Sequence, residues 1–429
     1  MGISGRPLPS RIFYGWYVVA ASFVILFFNA GARYCFGVML KPISAEFGWS
    51  RGELSLVFSV NMVVFSLGLL AVGKIYDRYG PKWVILVSTL FISAGFIMTS
   101  FMHSLGQYFF SYGILAALGI AGTAVPLMAT LASKWFERKR GIAVSLSLSG
   151  NSMGQFALVP LLSWVAVNYG WRMSYRFIGV VMLLANVLLA LFVIKGDPSQ
   201  LGLRPFGEKE NSGPKQQGGR SLASGPVDLG LKQAMATPSY WFFLVLMFIC
   251  GGGDYFATTH FIPLATDNGI SQEMAGNMLG WYGAMSLVGI LIAGPAADWI
   301  GNKIPIVSSF VLRVFLYLLI YRYKSPGSLY AFALAFGFTH LMTGPLTPML
   351  VAKMYGTGNL GVLTGFVNTI HFLGGAAAGY MGGVVFDKTG SYQAAILVSA
   401  AAAVVAIVCG LCIKEKRHEV VSGTARASA

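Results

Sequence analysis

Charge is what this chain has least of. Asp, Glu, Lys and Arg make up 10% of its 429 residues while 56% are hydrophobic, against roughly 25% charged residues in an ordinary soluble domain. So little polar surface excludes a water-soluble globule and predicts a membrane protein. Acids are scarcer still, 15 against 30 basic residues. In a membrane chain that basic excess has a simpler source than nucleic acid, because Lys and Arg gather in cytoplasmic loops, and no nucleic-acid partner is expected. Cysteine is limited to Cys35, Cys250, Cys409 and Cys412, all within apolar segments, so they read as small packing residues rather than a disulfide framework. The CGLC spacing at 409–412 lies near the end of an apolar helix, outside the βαβ context of a redox motif. The chain has no Asn-x-Ser/Thr sequon, no HExxH and no P-loop. No catalytic constellation, cofactor or metal site is expected, and the chain does not read as an enzyme.

What is abundant is apolar sequence in pieces of membrane length. A helix needs about 20 apolar residues to cross the hydrocarbon. Such segments run approximately 15–40, 54–75, 83–102, 107–131, 141–167 and 175–194, then 241–264, 276–297, 304–321, 328–352, 360–386 and 394–413. The first is long and lacks a small-residue cleavage site, so it reads as a retained span rather than a signal peptide. Between the two sets lies the 34-residue stretch "KGDPSQLGLRPFGEKENSGPKQQGGRSLASGPVD", rich in Gly, Pro, Ser and charge, which reads as a flexible connection. The expected architecture is an all-α membrane protein of twelve transmembrane helices in two pseudo-symmetric six-helix bundles: 1–194, a cytoplasmic linker 195–235, and 236–429 with its tail. If both termini are cytoplasmic, 21 of the 30 basic residues fall in tails, linker and cytoplasmic loops, 7 on the opposite side and 2 within spans. That asymmetry predicts a multi-pass cell-membrane protein, of the bacterial inner-membrane kind, with both ends inside.

The halves repeat a local pattern. "GKIYDRYGPK" after the second span is answered by "GPAADWIGNK" after the eighth, so that Gly73, Asp77, Gly80 and Lys82 match Gly294, Asp298, Gly301 and Lys303. One copy is an ordinary charged turn; two in matching places imply a duplication. Repeated halves predict a site at the midplane between them, exposed to each side in turn by rocking.

"GKIYDRYGPK" resembles the loop signature of the major facilitator superfamily, and the resemblance covers the whole chain. "KWFERKRGIAVSLSLSG" at 134–150 is similar to the fifth-helix signature of the monocarboxylate transporter branch, with Trp135, Phe136, Arg138, Lys139, Arg140, Ala143 and Gly150 in register. "FYGWYVV", "GWRMSY" and "FDKTGSY" also resemble this branch and its bacterial relatives, which include oxalate/formate-type exchangers. The resemblance implies a secondary transporter, with the loop charges Asp77, Arg78 and Arg140 latching its outward-facing state as a gate. ATP-driven transport is excluded, because the linker is too short and too polar to form a nucleotide-binding domain.

Of the 15 acidic residues only Asp254 lies well inside a span, and of the 30 basic ones only Arg33 and Arg313 do. Each costs at least about 2.5–3.5 kcal/mol at a helix centre, which makes an intramembrane charge a functional candidate by default. Aligning Pro42 with Pro263 places Arg33 on Asp254 and Tyr34 on Tyr255 without a gap. Arg33 lies about 12 Å along the helix from Lys41, near the midplane. Two readings follow. In one, Arg33 and Asp254 form a structural ion pair that latches the halves together. In the other, Arg33 holds a substrate carboxylate, for which its fork is suited, and Asp254 couples a proton, gaining and losing Arg33 as its partner. For Arg313 the alternatives are packing on backbone carbonyls, snorkelling to an interface, or a role at the cavity. Tyr34 and Tyr255 border the expected pair, and Asn368 and His371 share a face of the eleventh helix, either as substrate contacts or as packing groups. His260 and His340 carry less weight.

The family comparison adds two departures. Arg33 stands where related monocarboxylate transporters carry a first-helix lysine, and it cannot deprotonate as a lysine can. The Asp and Arg that the branch carries in its eighth helix are replaced by Ser286 and Ile290. The combined expectation is proton-coupled symport of a small organic anion, a monocarboxylate above all. Anion exchange, a drug or sugar carrier, and a transporter-like sensor remain the alternatives. The bilayer, the anion and a proton are the expected partners; oligomeric state is not legible.

Overall fold

The computed structural model describes residues 12–207 and 229–415. Among the described residues twelve helices are long and apolar enough to span a membrane: α1 Gly15–Phe47, α2 Arg51–Tyr79, α3 Pro81–Thr99, α4 Leu105–Trp135, α5 Arg140–Tyr169, α6 Trp171–Phe192, α7 Pro238–Asp267, α8 Gln272–Ile300, α9 Lys303–Arg322, α10 Pro326–Tyr355, α11 Leu360–Thr389 and α12 Gln393–Cys412. All twelve expected spans are present, several a turn longer than the hydropathy alone suggested. Polar N-caps account for part of the extension. Ser50 and Glu53 form a reciprocal capping box at the start of α2, and Ser271 and Ser325 cap α8 and α10, satisfying N–H groups that a helix end leaves open.

The repeated loops have a backbone cause. Gly80 and Gly301 sit at φ 78° and 82°, where a side chain would be strained, and each turns the chain directly into the next helix. Lys303, the counterpart of Lys82, donates from Nζ to the carbonyl of Ile413 at 3.0 Å, placing a cation at the C-terminus of α12. Glu415, just past that terminus, accepts from the N–H of Asn302 at 2.9 Å and from Lys353 at 3.1 Å. Partial burial pushes its pKa up, but these bonds outweigh that effect and hold it below the usual carboxylate value.

The linker departs from expectation where it can be seen. Residues 208–228 lie outside the described residues, but the part before them is docked rather than loose. Phe206 donates its N–H to the carbonyl of Trp135 at 2.9 Å and accepts from the N–H of Arg138 at 2.9 Å, and its ring packs against Phe13 and Phe136. Aromatic burial fixes a segment whose Gly and Pro content alone suggests flexibility.

Several helices are broken where they meet the centre of the molecule. Helix α1 is interrupted at Cys35, just after Arg33 and Tyr34. Helix α4 breaks at Thr123 and Ala124, ahead of Pro126, and α10 at Leu341 and Met342, ahead of Pro345. Carbonyls near the breaks find side-chain donors. Asn29 donates to Ile120 O in α4 at 3.2 Å, and Arg313 donates to Thr339 O in α10 at 3.1 Å.

Contacts between the α1–α6 and α7–α12 halves gather on the end away from the chain termini. Arg51 at the start of α2 pairs through Nη2 with Asp267 at the end of α7 at 2.9 Å, and Lys41 joins the same carboxylate at 2.9 Å. Asp387 of α11 accepts from the N–H groups of Arg51 and Gly52 at 3.0 and 2.7 Å, so one half caps a helix of the other. Gln272 donates to Val38 O at 3.3 Å, four residues before Pro42, where the proline removes the helical partner. Gly37 permits α1 and α7 to touch, since a Cβ there would meet Thr258 O at 2.6 Å. Toward the terminal end a Cβ at Gly73 or Gly361 would meet open space.

This lock predicts that Asp267→Asn favours the state opened away from the termini. In a background freed of native cysteines, a Thr259→Cys reporter at the α1–α7 crossing should react about five- to tenfold faster with an impermeant maleimide, corresponding to about 1–1.4 kcal/mol. Unchanged labelling would show that the carboxylate does not hold that end shut.

Candidate functional site

The intramembrane charges form two centres rather than one. The expected Arg33–Asp254 ion pair is not made. Instead Asp254 Oδ1 lies 2.7 Å from Arg313 Nη2, with both side chains 1% exposed. The reason is topological: Arg313 comes from α9 of the same half, and its extended side chain reaches α7 without crossing the interface. Of the readings for Arg313, inward packing on a carbonyl holds, since Thr339 receives its Nη2 and Nε at 3.1 and 3.0 Å. Its principal partner, however, is the acid assigned to Arg33.

Two histidines complete this centre. His340 Nδ1 lies 3.3 Å from Asp254 Oδ1, and His371 Nε2 lies 3.8 Å from Oδ2, with a side chain 14% exposed. The glycines of "GGGDYF" in α7 bring His371 this close: a Cβ at Gly251 would fall 1.7 Å from His371 O, so any larger residue would push α11 away. Cys250, Asp254 and His371 place donor atoms within 4.8 Å of one another. This donor set does not suit a divalent cation, because Asp254 is already charge-paired and the Arg313 guanidinium would face the ion.

Arg33 forms the second centre. Its guanidinium sits over the rings of Phe65 at 4.4 Å, Phe372 at 5.0 Å and Tyr255 at 5.1 Å, and its Nη2 approaches Met62 Sδ at 3.9 Å. Among the described residues it has no ion-pair partner, and its Nε has no hydrogen-bond partner. Aromatic faces stabilise a cation by about 0.5–2 kcal/mol each, less than a carboxylate supplies. Phe65 and Phe372 meet edge to face at 4.8 Å, joining α2 to α11, so the cage is built from both halves.

The two aligned tyrosines each serve the other half's charge. Tyr255, next to Asp254, lies beneath Arg33, while Tyr34, next to Arg33, bonds His340 Nε2 at 3.2 Å. Adjacent helix positions point about 100° apart, so a residue next to a charge faces elsewhere, here into the opposite half. Asn368 is half-buried one turn before His371, and its side chain makes no hydrogen bond among the described residues. Asp77, Arg78 and Arg140 are exposed, and Arg78 rests on Tyr79 at 5.3 Å. His260 bonds Gly379 O at 2.7 Å and Tyr392 at 3.2 Å, a packing role beside the Arg51 lock. Sequence reasoning gave little weight to Arg313 and His340. The imbalance of two intramembrane cations against one acid was the available signal that one cation would stay unpaired.

Twelve spans in two halves, helices broken at mid-depth and charges gathered where the halves meet are the architecture of a membrane carrier. The chain belongs to the Major Facilitator Superfamily, whose model matches residues 22–267 and 244–428, and it is a multi-pass membrane transporter of that family. It is 26% identical to the uncharacterised MFS-type transporter YcxA of Bacillus subtilis over 89% of this chain and 91% of that protein. It is also 26% identical to monocarboxylate transporter 13 of Bos taurus, over 90% of this chain and 86% of that protein, and to monocarboxylate transporter 11 of Homo sapiens, over 90% and 80%. The fold matches a bacterial homolog of the human lysosomal transporter Spinster, inward-facing and unoccupied, with TM-score 0.72 at 14% identity over 94% and 96% of the two chains. It also matches the nucleoside transporter NupG, with TM-score 0.73 at 13% identity over 93% and 99%.

The buried pair makes a stability prediction. Arg313→Met alone should cost about 3–5 kcal/mol by leaving Asp254 charged and unpaired. Adding Asp254→Leu should restore most of that loss, as read by thermal unfolding in detergent. Additive losses would mean that the two side chains do not depend on each other.

Proposed function

We propose that this transporter carries a small monocarboxylate together with a proton by alternating access. One observation carries the reading: Arg33 is a half-buried, mid-span cation with aromatic rings about it and no acid beside it among the described residues, whereas Arg313 is already neutralised by Asp254. A carboxylate supplies what Arg33 lacks, and a guanidinium binds it through two parallel hydrogen bonds. The monocarboxylate transporters among the relatives agree with that cargo.

The proton belongs with Asp254 and His371. His371 stands between the two centres, with its ring 6.1 Å from that of Tyr255 and 5.4 Å from that of Phe372, the same rings that border Arg33. A proton held by His371 and the Asp254 carboxylate adds positive charge beside the anion site. By linkage, anion and proton then strengthen each other's binding. One proton entering with one monocarboxylate leaves the net charge unchanged, so the loaded and empty carriers meet the membrane potential alike. Asp254 keeps its assigned part in proton coupling, exercised through His371 rather than through release of Arg33. Tyr255, beneath Arg33, and Asn368, on the His371 face, border the anion. The basic loops support a cell-membrane orientation with both termini in the cytoplasm. The described state is then open inward, and Asp77, Arg78 and Arg140 engage only when that side closes.

Uptake into proteoliposomes with acetate, lactate, pyruvate and benzoate tests this reading. An inward proton gradient should drive at least one of them. Arg33→Gln should lower kcat/KM about 10- to 100-fold, equivalent to about 1.5–3 kcal/mol for a charge-assisted hydrogen bond. His371→Gln and Asp254→Asn should remove the response to the gradient. Uptake driven only by internal carboxylate, indifferent to the gradient, would establish exchange in place of symport.

A further inference from the structure

His340 occupies a position that the proposed transport cycle leaves unused. It is the last residue before the break in α10, it is 3% exposed, and it touches both halves. Its Nδ1 lies 3.3 Å from Asp254 Oδ1 and its Nε2 lies 3.2 Å from the hydroxyl of Tyr34. Tyr34 in turn is the last residue before the break in α1 and directly follows Arg33. Two helix interruptions, one in each half, are therefore joined by a single imidazole whose other edge faces the intramembrane carboxylate. Around it stand Tyr282 of α8, with ring centroids 5.0 Å apart, and Arg313 of α9 and His371 of α11, which flank the same carboxylate. Asn151 of α5 faces the Tyr34 hydroxyl.

We propose that His340 is a positioning residue whose ring tautomer ties the protonation of Asp254 to the α1 break that carries Arg33. The inference rests on the proton-coupled reading above and adds a link between the two halves to it. With Asp254 ionised, the carboxylate favours a hydrogen on the nearer nitrogen, Nδ1, because a lone pair there would face negative charge. Nε2 is then an acceptor, and the Tyr34 hydroxyl donates to it, holding the Arg33 segment against the second half. Taking up one proton reverses the arrangement without charging the ring. The incoming proton adds at Nε2 while the Nδ1 hydrogen passes to Asp254 Oδ1. Nε2–H now donates to the Tyr34 oxygen, a phenol oxygen that accepts more weakly than an imidazole nitrogen does, so the link between the halves reverses direction and weakens when Asp254 is neutralised. A purely structural histidine would hold the same two helices together regardless of the charge on Asp254.

Two measurements test this without a transported substrate, so a failed uptake assay bears on the functional reading alone. The chain has 5 histidines, and the 15N spectrum of histidine-labelled protein, with the His340 signal assigned by its loss in His340→Gln, reports the tautomer. The expected result is an Nδ1–H ring at neutral pH that moves to Nε2–H on acidification, with the transition absent in Asp254→Asn. An Nε2–H ring at neutral pH, or a tautomer that ignores Asp254, overturns the proposal. The second measurement follows the Thr259→Cys labelling rate against pH in wild type, Tyr34→Phe, His340→Gln and the double variant. Divided at each pH by the rate of a free thiol with the same maleimide, which removes the intrinsic thiolate dependence, the wild-type rate should still depend on pH. Each single variant should flatten that profile at least threefold, and the double variant should add nothing further. Profiles that keep the wild-type pH dependence in Tyr34→Phe, which removes only one oxygen, overturn it as well.

Discussion

The arrangement depends on one constraint: an ionised side chain in hydrocarbon must find its opposite charge inside the protein, because no water is at hand to solvate it. This chain puts two guanidinium groups and one carboxylate at mid-span, so one cation is always left over. Asp254 goes to Arg313, which belongs to the same half and is fully buried with it. Arg33 is left with aromatic faces and a thioether. The protein is thereby held one anion short of neutrality where its halves meet.

That deficit accounts for the composition of the surrounding helices. Gly251 and Gly37 are small because backbones must approach there, α7 against α11 in one case and α1 against α7 in the other. The breaks at Cys35 and at Leu341 and Met342 fall beside Arg33 and Asp254 rather than at random depths, and a charged side chain takes up one of the carbonyls nearby. Irregular backbone within a membrane is tolerated only where protein or a cavity covers it, so the breaks and the charges occupy the same place. At the far end the second kind of charge appears, Arg51 and Lys41 around Asp267. These groups are partly exposed and join the halves, unlike the fully buried pair at the centre.

The fold was largely legible. Span length, loop charge and the two copies of the Gly/Asp/Gly/Lys loop each follow from local rules, and Gly80 and Gly301 show the backbone conformation that makes the repeat necessary. The linker was less so: Phe206 docks on Trp135 through a contact that composition does not announce. At the site, the sequence named Arg33, Asp254, Tyr34, Tyr255 and His371 as neighbours of the centre but joined Arg33 to Asp254, which the structure pairs with Arg313. Alignment of the halves identifies equivalent positions, and equivalent positions lie across a pseudo-twofold from each other. Whether their side chains touch depends on helix rotation and on what reaches them first.

The sequence alone determined that this is a twelve-span membrane protein built from two related halves and carrying one unmatched intramembrane cation, because hydrophobic length, charge count and turn glycines are properties of short stretches. Only the tertiary structure decided which cation is the unmatched one. That choice turns on α9 lying close enough to α7 for Arg313 to reach Asp254 within 2.7 Å, and on each tyrosine crossing to the other half. Both are matters of packing between segments far apart in the chain, which no local pattern records.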